Sequence, residues 1–322
     1  MIRQVTVGAA SVRRLGASAL RVGAVRRPLL TLGAQRRRAL VLVYHRVGHP
    51  SADAAGVVPT VSPGRFREHL QVLADLATVV PLCELARPVR GGRLRVAVTF
   101  DDDYASHAGV TLAALRAAGV HATFFLCGRV LPGAGAFWWE RLEAWIAGQG
   151  RGVVAAALGL PGLEPAELAA RVEVDSLLRA RVEAAAPAGS APLDEAGIRA
   201  LVAAGMGIGF HTRDHPLLPA LPDEEVASAV HAGRAALGDL AGNGLRHFAY
   251  PHGKADARVA AAVRDAGYAA AWTGWPAPVR PGDDPFLLGR WEPGDIAGDR
   301  FAAALATRLW RVAPELAAAR GS

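Results

Sequence analysis

Short apolar runs alternate with amphipathic segments along most of the chain. The apolar runs are too short for helices and are bounded by turn residues, so they predict buried strands. These strands are expected at 39–44, 95–100, 122–126, 207–210, 245–250, 268–272 and 286–289. Helical spacing of apolar residues predicts helices between them, at 62–76, through 112–115, and at 137–146, 193–204, 222–237, 255–266 and 299–312.

This alternation predicts a parallel sheet with right-handed crossover connections. No glycine-rich phosphate loop follows any predicted strand, which argues against a nucleotide-binding doubly wound sheet. Polar residues lie instead just after the strands, and a barrel of parallel strands keeps its active site at that end. The sequence therefore predicts an α/β barrel over residues 39–315, interrupted at about 140–192 by a helical insertion rich in Ala, Leu, Glu and Arg.

The net charge of +7 belongs to one segment of the 322-residue chain. Residues 1–38 form a basic arm with nine arginines and no acidic residue, and outside it 27 basic groups face 29 acidic ones. The arm is predicted to be a flexible segment or a peripheral helix that contacts anionic membrane lipid or an acidic partner. The alternative is a solvated extension without a partner.

The arm also bears on location and partners. It has no apolar core typical of a secretory signal, and the chain has no apolar run long enough to span a bilayer, so we expect a cytoplasmic protein, peripheral to the inner face of the membrane. Nucleic-acid binding is not expected, because the arm has no aromatic residue that could stack on bases.

Two short patterns carry the candidate chemistry. The strand 95–100 opens into Asp101, Asp102 and Asp103, and the strand 207–210 opens into His211 and His215. Carboxylates and imidazoles at strand ends are suited to a hydrolytic divalent metal ion. One aspartate and two histidines would fill three coordination positions and leave the rest for water and substrate. The sequence therefore predicts an enzyme.

Five segments in order resemble the polysaccharide deacetylase family, also called the NodB-homology or carbohydrate esterase family 4 domain. They are 43–47 (VYHRV), 99–104 (TFDDDY), 122–125 (ATFF), 209–216 (GFHTRDHP) and 248–253 (FAYPHG). The resemblance extends over roughly residues 39–295. It implies a distorted barrel of about seven strands, metal-dependent removal of acetyl groups from N-acetylated sugars, and one divalent ion of the zinc type.

Residue by residue, the resemblance assigns the general base to Asp101 and the metal ligands to Asp102, His211 and His215. The chemistry is consistent with this division, because neighbouring side chains at a strand end point in different directions. The metal lowers the pKa of a water and polarises the acetyl carbonyl, and Asp101 takes the proton as the water attacks. The family's oxyanion donor is a backbone N–H, which falls on His252 here.

The chain also departs from the family pattern. Asp103 stands where the family has glycine, and we favour a solvated turn residue over a surplus ligand. Ala249 replaces an arginine that orients the catalytic aspartate, and Arg290 is the expected substitute. The family's late histidine, the general acid, is not found near Arg290, which leaves His252, His45 or a water.

Other polar and aromatic residues receive weaker assignments. His45, Tyr250 and Trp272 are expected to contact the substrate, although His45 is equally well interpreted as a structural histidine. Trp138 and Trp139 could stack on sugar rings, but we expect them to pack the insertion onto the barrel. Four histidines receive no role: His107, His121, His231 and His247.

The leading hypothesis is a metal-dependent hydrolase that removes N-acetyl groups from a glycan or a sugar precursor. One alternative keeps the metal chemistry and changes the substrate to a non-sugar amide or a cyclic imide. Another, of a different class, is a degenerate relative that binds carbohydrate without catalysis.

Overall fold

The structure is a computed structural model that describes residues 23–85, 93–131, 135–242 and 244–311. Its strands are β1 (Ala39–Tyr44), β2 (Arg46–Val47), β3 (Thr60–Val61), β4 (Ala77–Val79), β5 (Leu94–Asp101), β6 (Ala122–Leu126), β7 (Gly207–Phe210), β8 (His247–Ala249) and β9 (Ala270–Trp272). Its α-helices are α1 (Gly23–Gln35), α2 (Pro63–Leu76), α3 (Val110–Ala117), α4 (Trp138–Gln149), α5 (Arg151–Ala157), α6 (Pro165–Val174), α7 (Ser176–Ala185), α8 (Glu195–Ala203), α9 (Asp223–Ala229), α10 (Arg234–Ala241), α11 (Ala257–Asp265) and α12 (Gly298–Arg308).

Seven parallel strands form one sheet that curves into a distorted barrel, as predicted. Six of them follow the order β1-β5-β6-β7-β8-β9, and β4 pairs with the start of β5. The gap between β9 and β1 is bridged by the segment 288–291. Leu288 bridges to Trp272, while the backbone of Trp291 accepts from Val43 and donates to Val41.

Two predicted elements differ from the structure. The segment 286–289 was expected to be a strand, but in the structure it pairs with β9 only through an isolated bridge between Leu288 and Trp272. The single helix expected at 222–237 is two helices, α9 and α10, because Gly233 takes a left-handed φ of 82° between them. That conformation is open to glycine at no steric cost.

The strands are buried on both faces, which accounts for their nearly continuous apolar sequence. Because side chains alternate across a strand, one set faces the barrel interior and the other faces the helices. The interior set includes Val41, Ala97, Phe125, Ala249 and Trp272. The helix-facing set belongs to the main core and includes Leu42, Val98, Phe100, Phe124 and Phe210.

The insertion after β6 consists of α4, α5, α6 and α7 and has an apolar core of its own. Leu142, Ile146, Leu168 and Val172 are fully buried in that core. Residues of the barrel loops, among them Val57, Tyr104 and Cys127, pack into the same cluster. The insertion is therefore packed onto the end of the barrel where the strands finish.

The described part of the basic arm also packs on the barrel. Helix α1 buries Leu29 and Leu30 in the main core, and Gly33 lets the side chain of Leu309, just after α12, approach closely. The predicted boundary of a separate arm at residue 38 is therefore corrected for residues 23–35, while residues 1–22 lie outside the described residues. Among the helices that the structure describes, none is long and apolar enough to cross a membrane.

Candidate active site

Strained backbone is concentrated where the barrel strands end. Six non-glycine residues of the described chain have positive φ, and four of them lie here: Asp102 at 68°, Thr212 at 60°, His215 at 51° and His252 at 57°. Such conformations cost about 1–3 kcal/mol each and persist only where the surrounding structure imposes them. The fold therefore holds these loops in geometries that their sequences alone would not choose.

Asp102, His211 and His215 converge on one point. One ligand atom from each lies within 4.8 Å of the other two. The Oδ1 atom of Asp102 is 3.8 Å from Nε2 of His211 and 3.7 Å from Nε2 of His215. That Oδ1 is buried and has no hydrogen-bond partner. A carboxylate oxygen and two imidazole nitrogens at this spacing suit a divalent cation.

The protonation of these groups agrees with a cation site. His211 Nδ1 lies 2.8 Å from the carbonyl oxygen of Ala249. Because a carbonyl only accepts, Nδ1 carries the proton and the Nε2 lone pair faces Asp102. Burial also lowers the pKa of His211 to about 4, which keeps it neutral. Burial raises the pKa of Asp102 to about 7, and a cation would offset that penalty.

Asp101 lies beside this group and is held by Arg290. Two guanidinium nitrogens of Arg290 donate to the two carboxylate oxygens of Asp101 at 2.6 Å each. Arg290 also donates to the Thr273 carbonyl and the Thr99 hydroxyl. Burial raises the pKa of Asp101, but Arg290, together with His211 and His45, outweighs burial and the net shift is downward. Asp101 is therefore an oriented, ionised carboxylate.

His45 pairs with Glu292 on the wall of the same pocket. Its Nδ1 lies 3.0 Å from Oε1 of Glu292, and both residues line the pocket. Burial lowers the pKa of His45, but Glu292 and the aspartates of the site outweigh it and raise the pKa to about 9. His45 is therefore a protonated group in the pocket wall, not a histidine of the structural core.

His252 contacts the backbone and the ring of His215, one of the three candidate metal ligands. Its Nε2 lies 3.2 Å from the backbone carbonyl of His215, and the two imidazole rings are 4.5 Å apart. Its Nδ1 forms an ion pair with Glu173 of helix α6 in the insertion. Sequence reasoning missed Glu173, because nothing in a helical segment that is remote in sequence marks it as a partner of His252.

A pocket of about 410 Å³ opens over these residues. The barrel lines its floor and sides with Val43, His45, Asp101, Asp102, His211, His215, His252, Gly253, Gly274, Arg290 and Glu292. The insertion contributes Trp138, Trp139, Ala166, Ala169, Ala170 and Glu173. Both tryptophans pack with the core that the insertion shares with the barrel loops, as expected, and both also line the pocket. The ring centroids of Trp139 and His215 are 4.9 Å apart.

Two predicted substrate contacts do not reach this pocket. Tyr250 is fully buried, and its hydroxyl donates to the carbonyl of Phe286 at 2.8 Å. Trp272 lies in the barrel interior and is 2% exposed. Both predictions are corrected, because Tyr250 packs in the main core and Trp272 packs in the barrel interior.

Asp103 and His107 support the end of β5 through hydrogen bonds to backbone groups. Asp103 was expected to be a solvated turn residue, but it is buried and accepts hydrogen bonds from the backbone N–H groups of Cys127, at 2.8 Å, and of Arg129. Burial raises its pKa to about 6. His107, which received no role, lies with Nε2 at 3.3 and 3.2 Å from the carbonyls of Asp101 and Asp102. It thereby supports the strained turn.

The chain is similar to known deacetylases in sequence and fold. The family model described as Polysaccharide deacetylase matches residues 89–271, and no curated protein matches the chain significantly. IcaB from Ammonifex degensii is 22% identical with a TM-score of 0.58, over 84% of this chain and 97% of that one. The Streptococcus pyogenes deacetylase PplD, in complex with acetate, is 15% identical with a TM-score of 0.58, over 84% of this chain and 98% of that one. A polysaccharide deacetylase from Bacillus cereus is 15% identical with a TM-score of 0.57, over 84% of this chain and 69% of that one.

At these identities the solved structures establish likeness of fold, and the family match carries the assignment. That match covers more than half of the chain and includes the two segments that supply the aspartates and the histidines of the site. The chain therefore belongs to the polysaccharide deacetylase family and is a hydrolase of the N-deacetylase type, acting on non-peptide amide bonds.

Proposed function

We propose that this protein removes N-acetyl groups from a glycan or a sugar precursor and uses one zinc ion to do so. The observation that carries the proposal is the convergence of Asp102, His211 and His215 beside a carboxylate that Arg290 holds in place. Two imidazole nitrogens and one carboxylate oxygen form a donor set typical of catalytic zinc. Such an ion supplies Lewis-acid activation of a water and of the acetyl carbonyl.

Asp101 is the proposed general base. Its carboxylate is ionised, and its Oδ2 lies 3.7 Å from Nε2 of His211, next to the ligand atoms. It therefore faces the place where an attacking water would lose its proton. Arg290 fixes both carboxylate oxygens, so the base is oriented before the substrate arrives.

His45 is the proposed general acid. The reaction must deliver a proton to the amide nitrogen so that it leaves as an amine. His45 lines the pocket and is held protonated by Glu292, whereas His252 already engages the His215 carbonyl and Glu173. The side-chain role of His252 is then support of His215, and its backbone N–H is the proposed donor to the oxyanion.

A deacetylation assay with metal analysis tests these assignments. Purified protein is stripped, reloaded with zinc and incubated with acetylated glycans, with N-acetylglucosamine oligomers and with small amides and cyclic imides, while released acetate and new amines are measured. We expect about one zinc per chain, which Asp102→Ala and His211→Ala abolish. The exposed His231 provides a matched control, because His231→Ala should keep the metal.

The general base is tested with Asp101→Asn, which should retain zinc and lose turnover by ~10²–10⁴-fold, the usual contribution of one proton-transfer group. Asp53→Asn, at an exposed aspartate, is its control. Unchanged turnover in Asp101→Asn would refute the base assignment. Hydrolysis of amides or imides alone would favour the non-sugar alternative, and sugar binding without metal or turnover would favour a non-catalytic relative.

We also propose that the basic arm brings the enzyme to anionic lipid at the cytoplasmic face of the membrane. Its support is the charge of residues 1–38, which hold nine arginines and no acidic residue. Co-sedimentation with phosphatidylserine vesicles should fall when the arginines before residue 23 are replaced by glutamine. Binding that persists in that variant, or cell fractionation without membrane association, would refute this.

A further inference from the structure

We propose that the helical insertion converts the active site into a dead-end pocket for a terminal sugar or a short saccharide, so that internal residues of a polymer are excluded. This inference rests on the proposed function and narrows its substrate class. It is drawn from how helix α6 is placed across the end of the barrel.

Helix α6 crosses the mouth of the barrel. At one end Ala166 contacts Gly56 of the loop between β2 and β3, so closely that a Cβ on Gly56 would lie 3.3 Å from the Ala166 Cβ. At the other end Glu173 pairs with His252, which follows β8. Between β1 and β8 the sheet runs through β5, β6 and β7 on one side and through β9 and the segment 288–291 on the other. The step of seven positions from Ala166 to Glu173 extends about 10 Å along the helix axis.

The face of α6 that looks into the pocket carries small side chains. Ala166, Ala169, Ala170 and Glu173 line the pocket and recur at the spacing of one helix face. Leu168 and Val172 on the other side of the helix are fully buried in the insertion core. The helix is therefore fixed by its own core and forms a wall over the site.

The insertion is also tied to the barrel by charge. Arg46 of β2 forms an ion pair with Glu143 of α4, and both side chains are largely buried, at 15% and 11% exposure. Trp139 of α4 packs against the ring of His215. The wall is thus joined to the barrel at β2, at the His215 loop and at His252.

Gly274, which follows β9, and Glu292, which follows the segment 288–291, also line the pocket, and both are exposed. A polymer that presents an internal sugar needs an exit on both sides of the bound residue, but here one side is α6. The volume of about 410 Å³ lies near the lower end of the ~300–1,000 Å³ that is usual for small-molecule sites. The pocket therefore suits the end of a saccharide.

The position of the new amine tests this directly. The zinc-loaded protein is incubated with N-acetylglucosamine oligomers up to the hexamer, labelled at the reducing end, and products are sequenced by tandem mass spectrometry. We expect free amine at one terminal sugar and a kcat/KM that stops rising beyond the shortest oligomers. Amines at internal positions would overturn the dead-end pocket and leave the proposed function intact. No acetate from any saccharide would overturn both.

A matched pair of substitutions tests whether α6 forms the wall. Ala170→Trp places a large ring in the pocket and should lower kcat/KM for the terminal sugar by about tenfold or more. Arg171→Trp, at the next, exposed position of α6, should leave it within about twofold, since it lies outside the pocket lining. Thermal unfolding checks that both variants fold. Equal activity of the two folded variants would overturn the inference.

Discussion

Replacement of Arg290 is the sharpest perturbation that the structure offers. The side chain is 1% exposed, its partner Asp101 is 4% exposed, and two hydrogen bonds of 2.6 Å join them. Arg290→Gln removes the charge, whereas Arg290→Lys keeps the charge and loses the paired geometry. The two variants therefore separate the electrostatic effect of Arg290 on the base from its positioning effect.

The expected magnitudes follow from burial. Breaking a buried ion pair by removing one partner costs about 3–5 kcal/mol of unfolding free energy, because the remaining charge is left without compensation. Loss of the opposite charge should raise the pKa of Asp101, because a nearby cation then no longer favours its charged form. Since burial alone raises this pKa, the base of Arg290→Gln should be protonated at mildly acidic pH and kcat/KM should fall there.

The stability loss should depend on pH. In the native protein the Asp101 pKa lies below its unfolded value of about 3.9, so its stabilising contribution is complete above that pH and is lost as pH falls through the folded pKa. In Arg290→Gln the pKa of Asp101 in the folded protein should lie above its value in the unfolded chain. The free energy of unfolding should therefore decline as pH rises through the folded-state pKa. The difference between the two proteins is therefore larger at neutral pH than near the unfolded pKa.

Two measurements check this reasoning. Urea unfolding gives the free energy at acidic and neutral pH, and the pH profile of kcat/KM gives the acid limb. In Arg290→Gln we expect the acid limb to move to higher pH. In Arg290→Lys the limb should stay nearly in place, while kcat falls because Asp101 is misplaced. An unmoved acid limb in Arg290→Gln, or the same stability loss at both pH values, would refute the proposed role of Arg290.

Three further predictions follow from neighbouring contacts. The alkaline limb of kcat/KM is expected to follow the His45 pKa of about 9. Glu292→Gln should move this limb to lower pH by about 1–3 units, because burial then lowers the His45 pKa without the opposing carboxylate of Glu292. An unmoved limb would exclude His45 as the acid. Asp103→Ala leaves two buried backbone N–H groups without an acceptor and should lower the unfolding free energy by about 1–3 kcal/mol in urea titrations. Gly253→Ala should lower both stability and kcat/KM more than Gly267→Ala, since both glycines have positive φ but only the first would place a Cβ 2.5 Å from neighbouring backbone; equal effects would show that the clash is relieved.

The strands and the metal group could be predicted from the sequence because their signals are local. The segment 95–100 is apolar at four of its six positions, and β5 is buried along its whole length. The carboxylates follow where the strand meets the open end of the barrel. Parallel strands place all their ends on one side, so aspartates and histidines after two different strands were expected to meet. Arg290 was likewise anticipated, because it resembles an arginine that part of the family places after a later strand.

The tertiary structure alone decided which side chains face the pocket and which remote residues pair. Tyr250 follows β8 as His45 follows β1, and Trp272 ends β9, yet both Tyr250 and Trp272 are buried away from the pocket. The contact between His45 and Glu292 joins positions 247 residues apart, and no periodic pattern encodes such a pair. The sequence by itself determined the elements and the chemical groups at their ends, because each depends on neighbours along the chain. Closure of the barrel by 288–291 and coverage of the site by α6 depend on how these elements pack, so they were settled only in three dimensions.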